Sequence, residues 1–309
     1  MVPPVRMIVL DIDGTLLPSR GTIVTSRTCR ALREAEAAGI EIVIATGRRQ
    51  AYALPLIDPI GLKPETVFIT SNGTATRTMG GQAIDRFELP IATARALCPL
   101  LRPFGTTVFT FDREGLGELV LESIEALHGR VSMWVEANRA SITEVRPLER
   151  AFDAGDAPVQ GMVCGGVEEM RRAEERLGES ALGSSIEMHR TEYLSRDLII
   201  LDILPPGCSK GAALRRLAQQ RGLACEEILA IGDNWNDLEM LEFAGRPFMV
   251  ANGAPDLVEL AQQRGWELAP SNDEDGVAQV VEGVLSVRHG NFAGDGEMVV
   301  DENATIETN

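Results

Sequence analysis

Positive charge is what this chain of 309 residues has least of: 29 lysines and arginines face 46 aspartates and glutamates, for a net charge of −17. That balance argues against nucleic acid as a partner, because phosphate backbones are held by clustered Lys and Arg. It argues equally against an anionic membrane surface. A small anionic ligand would be repelled at long range, so a site for one must carry its own local positive charge. Cysteine is sparse and unpatterned. Cys29, Cys98, Cys164, Cys208 and Cys225 include no CxxC, so neither a zinc site nor a disulfide framework is indicated, and reduced thiols in a cytoplasmic protein are expected. The three histidines, His128, His189 and His289, lack metal-ligand spacing and are expected to be structural or surface residues. No basic segment followed by a long apolar stretch marks a signal peptide. No apolar run approaches the length of a membrane-spanning helix, and no segment repeats.

What is present is ordinary globular composition, 44% apolar, on a length sufficient for one large domain or two medium ones. Residues 5 to 80 alternate strand and helix. Met7-Ile8-Val9-Leu10 reads as a buried strand. Thr25 or Ser26 can cap a helix with Ala31, Leu32 and Ala35 inward and Gly39 at its end. Strands follow over 40–45 and 66–70. From about residue 83 the rhythm changes to an α+β mixture, with strands expected over 106–111 and 131–135 and a helix over 167–177. Near Asp197 the βα rhythm returns, with a strand over 198–203, a helix capped by Ser209, and strands over 228–231 and 248–250. Helices over 255–264 and 276–287 complete it. The last residues turn polar and acidic (Asp295, Glu297, Asp301, Glu302, Glu307) and read as a disordered tail. The expected fold is therefore α/β: a doubly wound, Rossmann-like parallel sheet over residues 1–82 and 193–287, an inserted α+β cap domain over 83–192, and a tail over 288–309.

The chemistry is concentrated where strands end. Asp11-Ile12-Asp13-Gly14-Thr15 follows the first strand, so two carboxylates sit at its C-terminal tip, the edge at which open α/β sheets bind ligands. Two anions so close need a cation or a shared proton between them. A divalent metal with a phosphate ester meets that need, one carboxylate attacking phosphorus and the other handling the leaving oxygen's proton. Thr46-Gly47-Arg48 lies at the second strand tip. Thr46 can donate its hydroxyl to a phosphate oxygen or cap a helix, and Arg48 can bind phosphate or lie on the surface. Ser71-Asn72-Gly73 lies at the third tip, where Asn72 can contact substrate or simply occupy a turn. Lys210, in a first helical turn, runs against the preference for acidic residues there, and its ammonium can neutralise a phosphate oxygen. Gly232-Asp233-Asn234-Trp235-Asn236-Asp237 turns out of another strand. There Asp233 suits octahedral Mg²⁺, while Asn236 and Asp237 can also serve as caps.

With these motifs in this order, the chain resembles the haloacid dehalogenase superfamily, and specifically its Cof-like phosphatases with a large α/β cap (type IIB). Pro205-Pro206-Gly207-Cys208-Ser209-Lys210-Gly211, Ala251-Asn252-Gly253-Ala254 and the segment Ser271 to Ala278 extend the match through both halves of the core. The resemblance implies that Asp11 is the nucleophile and forms an aspartyl-phosphate. It implies that Asp13 is the acid and base, with Thr46, Gly47, Arg48, Asn72 and Asn236 around the phosphate and Lys210 holding the transferring group. Asp11, Asp233 and the Asp13 carbonyl would ligate Mg²⁺, and Asp237 would orient Lys210 or metal-bound water. Arg190 and residues 161–165 are expected as cap contacts. The expected activity is a Mg²⁺-dependent phosphatase of small phosphorylated metabolites, sugar phosphates first. The rivals are a phosphomutase or other phosphoryl transferase on the same core, and a non-catalytic regulator that binds a phosphorylated ligand. No oligomeric state is implied.

Overall fold

The computed structural model describes residues 3–294 other than Glu114 and His128, and only the backbone of Arg130 and of residues 289–294. The chain begins β1 (Met7–Leu10), α1 (Ser26–Ala37), β2 (Glu41–Ala45), α2 (Gln50–Ile57), β3 (Val67–Thr70), β4 (Ala75–Thr78) and β5 (Ala83–Arg86). It continues with α3 (Ile91–Leu101), β6 (Val108–Thr110), β7 (Leu119–Leu121), α4 (Ser132–Asn138), β8 (Ile142–Glu144), β9 (Gln160–Gly165), α5 (Val167–Gly178), β10 (Glu187–Tyr193) and β11 (Leu198–Leu204). The last stretch holds α6 (Lys210–Arg221), β12 (Ile228–Gly232), α7 (Leu238–Phe243), β13 (Arg246–Val250), α8 (Pro255–Gln263), β14 (Glu267–Ala269) and α9 (Gly276–Gly294).

Two sheets result. The first has the order β14-β13-β12-β1-β2-β3-β4-β5; its strands pair in parallel from β14 to β3, and β4 and β5 form an antiparallel edge. Its central strands are apolar on both faces, as a sheet covered by helices on both sides requires. On one face Ile8, Leu10, Ile42, Ile44, Phe68, Leu229 and Ile231 pack with Ala31, Leu32 and Ala35 of α1 and Val277, Ala278 and Val281 of α9. On the other, Met7, Val9, Val43, Ala45, Ile69 and Ala230 pack with Ala213, Leu214 and Leu217 of α6 and Leu257 and Ala261 of α8. From β1 the chain winds outward through β2 and β3, then returns to β12 on the opposite side of β1. The order therefore reverses between β1 and β12, and a ligand crevice opens at such a point beyond the carboxyl ends of the strands. Leu10 pairs with both Ile44 and Ile231, which brings Asp11, Thr46 and Asp233 to one edge.

The second sheet, β10-β11-β9-β6-β7-β8, is antiparallel except for β7 beside β8. Its core, including Phe109, Val163, Leu201 and Ile203, packs against Leu97 and Leu101 of α3 and Met170, Ala173 and Leu177 of α5. The strand expected over 131–135 is a 3₁₀ turn leading into α4. Val131, Trp134 and Val135 fall at i, i+3 and i+4, a helical face, and pack with Cys164 and Leu198. The strand over 198–203, read as the return of the core's rhythm, is β11 and runs antiparallel to both β9 and β10. A continuous apolar run specifies burial but not which sheet is joined, and the turn at Leu194–Arg196 with Asp197 at positive φ folds β11 back on β10. The helix expected to end at 287 runs on as α9 to Gly294, and the rest of the acidic tail lies outside the described residues, as does His128. Among the described residues, no helix is long and apolar enough to cross a membrane.

Polar side chains join the two sheets. Arg49, beside the second strand tip, is buried and donates to Asn138 Oδ1 (2.7 and 3.2 Å) and Ser141 Oγ (3.1 Å), and it pairs with the buried Glu118. Arg77 forks onto Asp112 at 2.9 and 2.5 Å. Breaking a buried ion pair by removing one partner costs about 3–5 kcal/mol. Arg49→Ala is therefore expected to lower unfolding free energy by about 3 kcal/mol in urea denaturation; a loss below about 0.5 kcal/mol, the size of an ordinary surface substitution, would show that this contact does not hold the sheets together.

Candidate active site

Lys210 is the first residue of α6, and Ser209 caps that helix by accepting from Ala212 N–H. The helix start is pressed against two neighbouring segments. A Cβ on Gly73 would lie 2.2 Å from the Ser209 carbonyl oxygen, and one on Gly211 would lie 2.5 Å from the Glu239 backbone. The Lys210 side chain, 0% exposed, donates from Nζ to Asp11 Oδ1 at 2.6 Å and to Asp237 Oδ1 at 2.7 Å. Burial alone would lower the ammonium's pKa, but Asp11 and Asp237 reverse that and raise it above the ordinary lysine value. Asp237 is occupied on both oxygens, because its Oδ2 accepts the backbone N–H groups of Asp233 (3.0 Å) and Asn234 (3.2 Å). It closes the turn after β12 and aims Lys210, so capping and orienting are both realised. Gly232 is required beneath it, since a Cβ there would lie 2.7 Å from Asp237 Cβ.

Asp11 follows β1, its N–H bonded to Ile231 O at 3.1 Å. Burial pushes its carboxyl up to about 7; Lys210 opposes this, and Asp237 and Asp13 add to it. Asp233 at the tip of β12 is pushed well above the ordinary carboxylate value by burial and then by Asp11 and Asp237, and its Oδ1 accepts from Thr15 Oγ1 at 3.2 Å. Asp11, Asp233 and Asp237 each bring a carboxylate oxygen within 4.8 Å of the others. Three buried carboxylates against one ammonium leave a surplus of negative charge that a divalent cation would offset, and an all-oxygen donor set suits a hard cation such as Mg²⁺. With Asp237 already occupied, Asp11 and Asp233 are the side chains that fit the role of ligands.

The Asp13 side chain stands apart from this group. Gly14, at φ +78°, turns the chain, and Asp13 is held by Arg48 through Nε–Oδ2 (2.6 Å) and Nη2–Oδ1 (2.5 Å). Arg48 also lies over the Tyr52 ring at 4.5 Å. The arginine expected at a phosphate thus contacts the expected acid and base. Thr46 is fully buried and accepts from Arg48 N–H at 3.1 Å, which leaves its hydroxyl proton available. Gly47 faces the Asn72 amide, where a Cβ would stand 3.0 Å from Oδ1. Asn72 accepts from Asn236 Nδ2 at 3.1 Å and donates to Asp202 Oδ2 at 2.8 Å.

Several residues at this edge carried no motif. Asp202 on β11 is buried, and burial raises its carboxyl to about 7 against the hydrogen bonds of Gln160 and Asn72. A lone acid inside Leu198–Leu204 was its only signal. Asn234 pairs its side chain with the main chain of Glu192, accepting from its N–H and donating to its carbonyl, each at 3.0 Å. The next residue, Tyr193, has its phenol pKa pushed up by burial and then by Asp13, Asp233 and Asp11. Arg190 lies over Trp235 at 4.8 Å and pairs with Glu192 at 3.0 Å. His189, the histidine whose side chain is described, contacts Cys208 O at 3.1 Å in a packing role.

The family model of haloacid dehalogenase-like hydrolases matches residues 8–281. The chain is 27% identical over 299 residues to the 5-amino-6-(5-phospho-D-ribitylamino)uracil phosphatase YwtE of Bacillus subtilis, covering 91% of this chain and 98% of that one. It is 31% identical over 258 residues to the HMP-PP phosphatase of Escherichia coli, covering 82% and 86% respectively. A haloacid dehalogenase-like hydrolase from Bacteroides thetaiotaomicron superposes with a TM-score of 0.72 at 25% identity, covering 91% of this chain and 99% of that one.

Gly14 offers a direct check on the cation site. Its positive φ disfavours any side chain, and a Cβ would lie 2.3 Å from Asp233 Oδ2. Gly14→Ala is expected to displace that carboxylate and weaken Mg²⁺ binding in calorimetric titration by about tenfold or more, the size of effect seen when a ligand's support is lost. Unchanged affinity would remove Asp233 from the ligand set.

Proposed function

Because the chain belongs to the haloacid dehalogenase-like hydrolases, and is a Cof-like phosphoric monoester hydrolase, we propose that it hydrolyses small phosphorylated metabolites, sugar phosphates first, with Mg²⁺ and through an aspartyl-phosphate on Asp11. The observation that carries this reading is the buried Asp11–Lys210–Asp237 array beside Asp233, at the point where the strand order reverses. The relatives' names, a phosphoribitylamino-uracil phosphatase and an HMP-PP phosphatase, support the substrate class. We take the segment carrying the second sheet, β6 to β11, as the cap, and the absence of a disulfide among the five cysteines, all of them described residues, suits a cytoplasmic enzyme.

In this reading, Asp11 attacks phosphorus, the bond to the leaving oxygen breaks, and Asp13 gives that oxygen its proton. Asp13 then takes a proton from water, which attacks the aspartyl-phosphate, releases phosphate and restores the Asp11 carboxylate. Arg48 has to let go of Asp13 for either transfer, and its guanidinium is then free for an anionic oxygen of the substrate. Thr46 Oγ1 and Asn236 Nδ2 donate to the phosphoryl oxygens, and Lys210 neutralises charge developing beside Asp11. Asp11, Asp233 and the Asp13 carbonyl would hold Mg²⁺, which would supply further neutralisation and alignment. Phosphoryl transfer needs little beyond positioning and charge stabilisation, and the site's residues are suited to both. The cap excludes water and adds the contacts that choose the substrate.

Phosphate release across a panel of phosphorylated metabolites tests the proposal. Wild type with Mg²⁺ is expected to release phosphate and to favour one chemical class. EDTA should stop the reaction until Mg²⁺ is restored, and Asp11→Asn should lower kcat by about 10³-fold or more while the protein stays folded. An isomer formed without free phosphate would move the assignment to a phosphomutase, and activity undiminished in chelator would remove the metal from the account.

A further inference from the structure

The Asp202 carboxylate has no place in the mechanism above, yet it lies 4% exposed in the middle of an apolar strand. Desolvating a carboxylate is costly unless its position does something. Asp202 Oδ1 accepts from Gln160 Nε2 at 2.5 Å and its Oδ2 accepts from Asn72 Nδ2 at 2.8 Å. Asn72 in turn turns its Oδ1 to Asn236 Nδ2 at 3.1 Å. The backbone at this point is strained to achieve it: Ser71 and Asn72 are consecutive non-glycine residues at φ +48° and +52°. Such conformations persist where surrounding contacts over-determine them and gather at functional sites. Gly47 leaves the room that the Asn72 amide occupies.

We propose that Asp202 is a positioning residue that acts through Asn72 to make Asn236 present an N–H, rather than its carbonyl, to the phosphoryl group. When ionised, Asp202 only accepts hydrogen bonds, and both Gln160 and Asn72 donate to it, which favours that form against the upward push of burial. It therefore fixes which end of the Asn72 amide faces it and sends the Asn72 carbonyl oxygen toward Asn236. That oxygen binds one proton of the Asn236 amide nitrogen and leaves the other for the anion. A neutral amide at 202 offers both a donor and an acceptor, so Asn72 and Asn236 can turn over together. Asn236 then presents its oxygen to an anionic phosphoryl group, which is repulsive. Because Asp202 lies on a strand of the second sheet and Asn236 beside the first, the same chain of bonds ties cap placement to the orientation of a substrate donor.

This proposal rests on the phosphoryl-transfer reading of the site, and a double-mutant cycle between Asp202→Asn and Asn236→Ala tests it. Kinetics with a phosphorylated substrate and inhibition by inorganic phosphate are both measured. Asp202→Asn is expected to lower kcat/KM about tenfold or more, the worth of one hydrogen bond to a charged group, and to weaken phosphate inhibition similarly. In the Asn236→Ala background the same substitution should change kcat/KM by less than about twofold, because residues acting as a unit are not additive. A purely structural role would give equal losses in both backgrounds, and that result, or an undiminished single variant, overturns the proposal. If Asp202→Asn does not fold, Asn72→Ala replaces it in the cycle, cutting the chain one link nearer the site. Wild type lacking Asp11-dependent phosphate release would overturn the reading of the site itself, and the role of Asp202 with it.

Discussion

A lysine ammonium fully buried between two carboxylates is the interaction on which the rest of this structure depends. Taking three charges out of water costs several kcal/mol per ion unless the geometry is good and the remaining polar atoms are satisfied. Here Lys210 sits 2.6 Å from Asp11 and 2.7 Å from Asp237, and the free side of Asp237 is occupied by two backbone N–H groups. Each partner comes from a different element: Asp11 from the end of β1, Lys210 from the start of α6, and Asp237 from the turn after β12. The close approach of α6 to Gly73 and of Asp237 to Gly232 is how the fold brings them together. The array is thus a joint between both halves of the sheet as well as the centre of the site.

Around that joint the second sheet is fastened by side chains that belong to the site loops themselves. Arg49 follows Arg48, Asn234 follows Asp233, and Asn72 lies at the third strand tip; each reaches a residue of the second sheet or its connections. A displacement of the second sheet would therefore be felt at Asn72 itself and one residue away from Arg48 and Asp233.

Much of the first sheet was legible in the sequence. Four-residue apolar runs ending in Asp, Thr or Ser with glycine nearby mark parallel strands and their tips, and Asp11, Thr46, Asn72, Lys210 and Asp233 are gathered at that edge. The chemistry there depends on local turn residues that sequence displays directly. The second sheet was harder because its signals are ambiguous. Val131 to Val135 has the composition of a strand but the spacing of a helix, and Leu198 to Leu204 is apolar whichever sheet it joins. Partners were harder still. That Arg48 would hold Asp13, and that Asp202 would hold Asn72, depends on residues 35 and 130 positions apart, and no local pattern encodes such pairings.

The central claim, that Asp11 becomes phosphorylated, is tested most directly by a single turnover with substrate carrying a labelled phosphoryl group, quenched in acid and mapped by peptide. The account predicts a transient label on the peptide containing Asp11, absent in Asp11→Asn and decaying as phosphate appears. Phosphate released at the full rate with no label on the protein at any time would contradict it and point to direct attack by water.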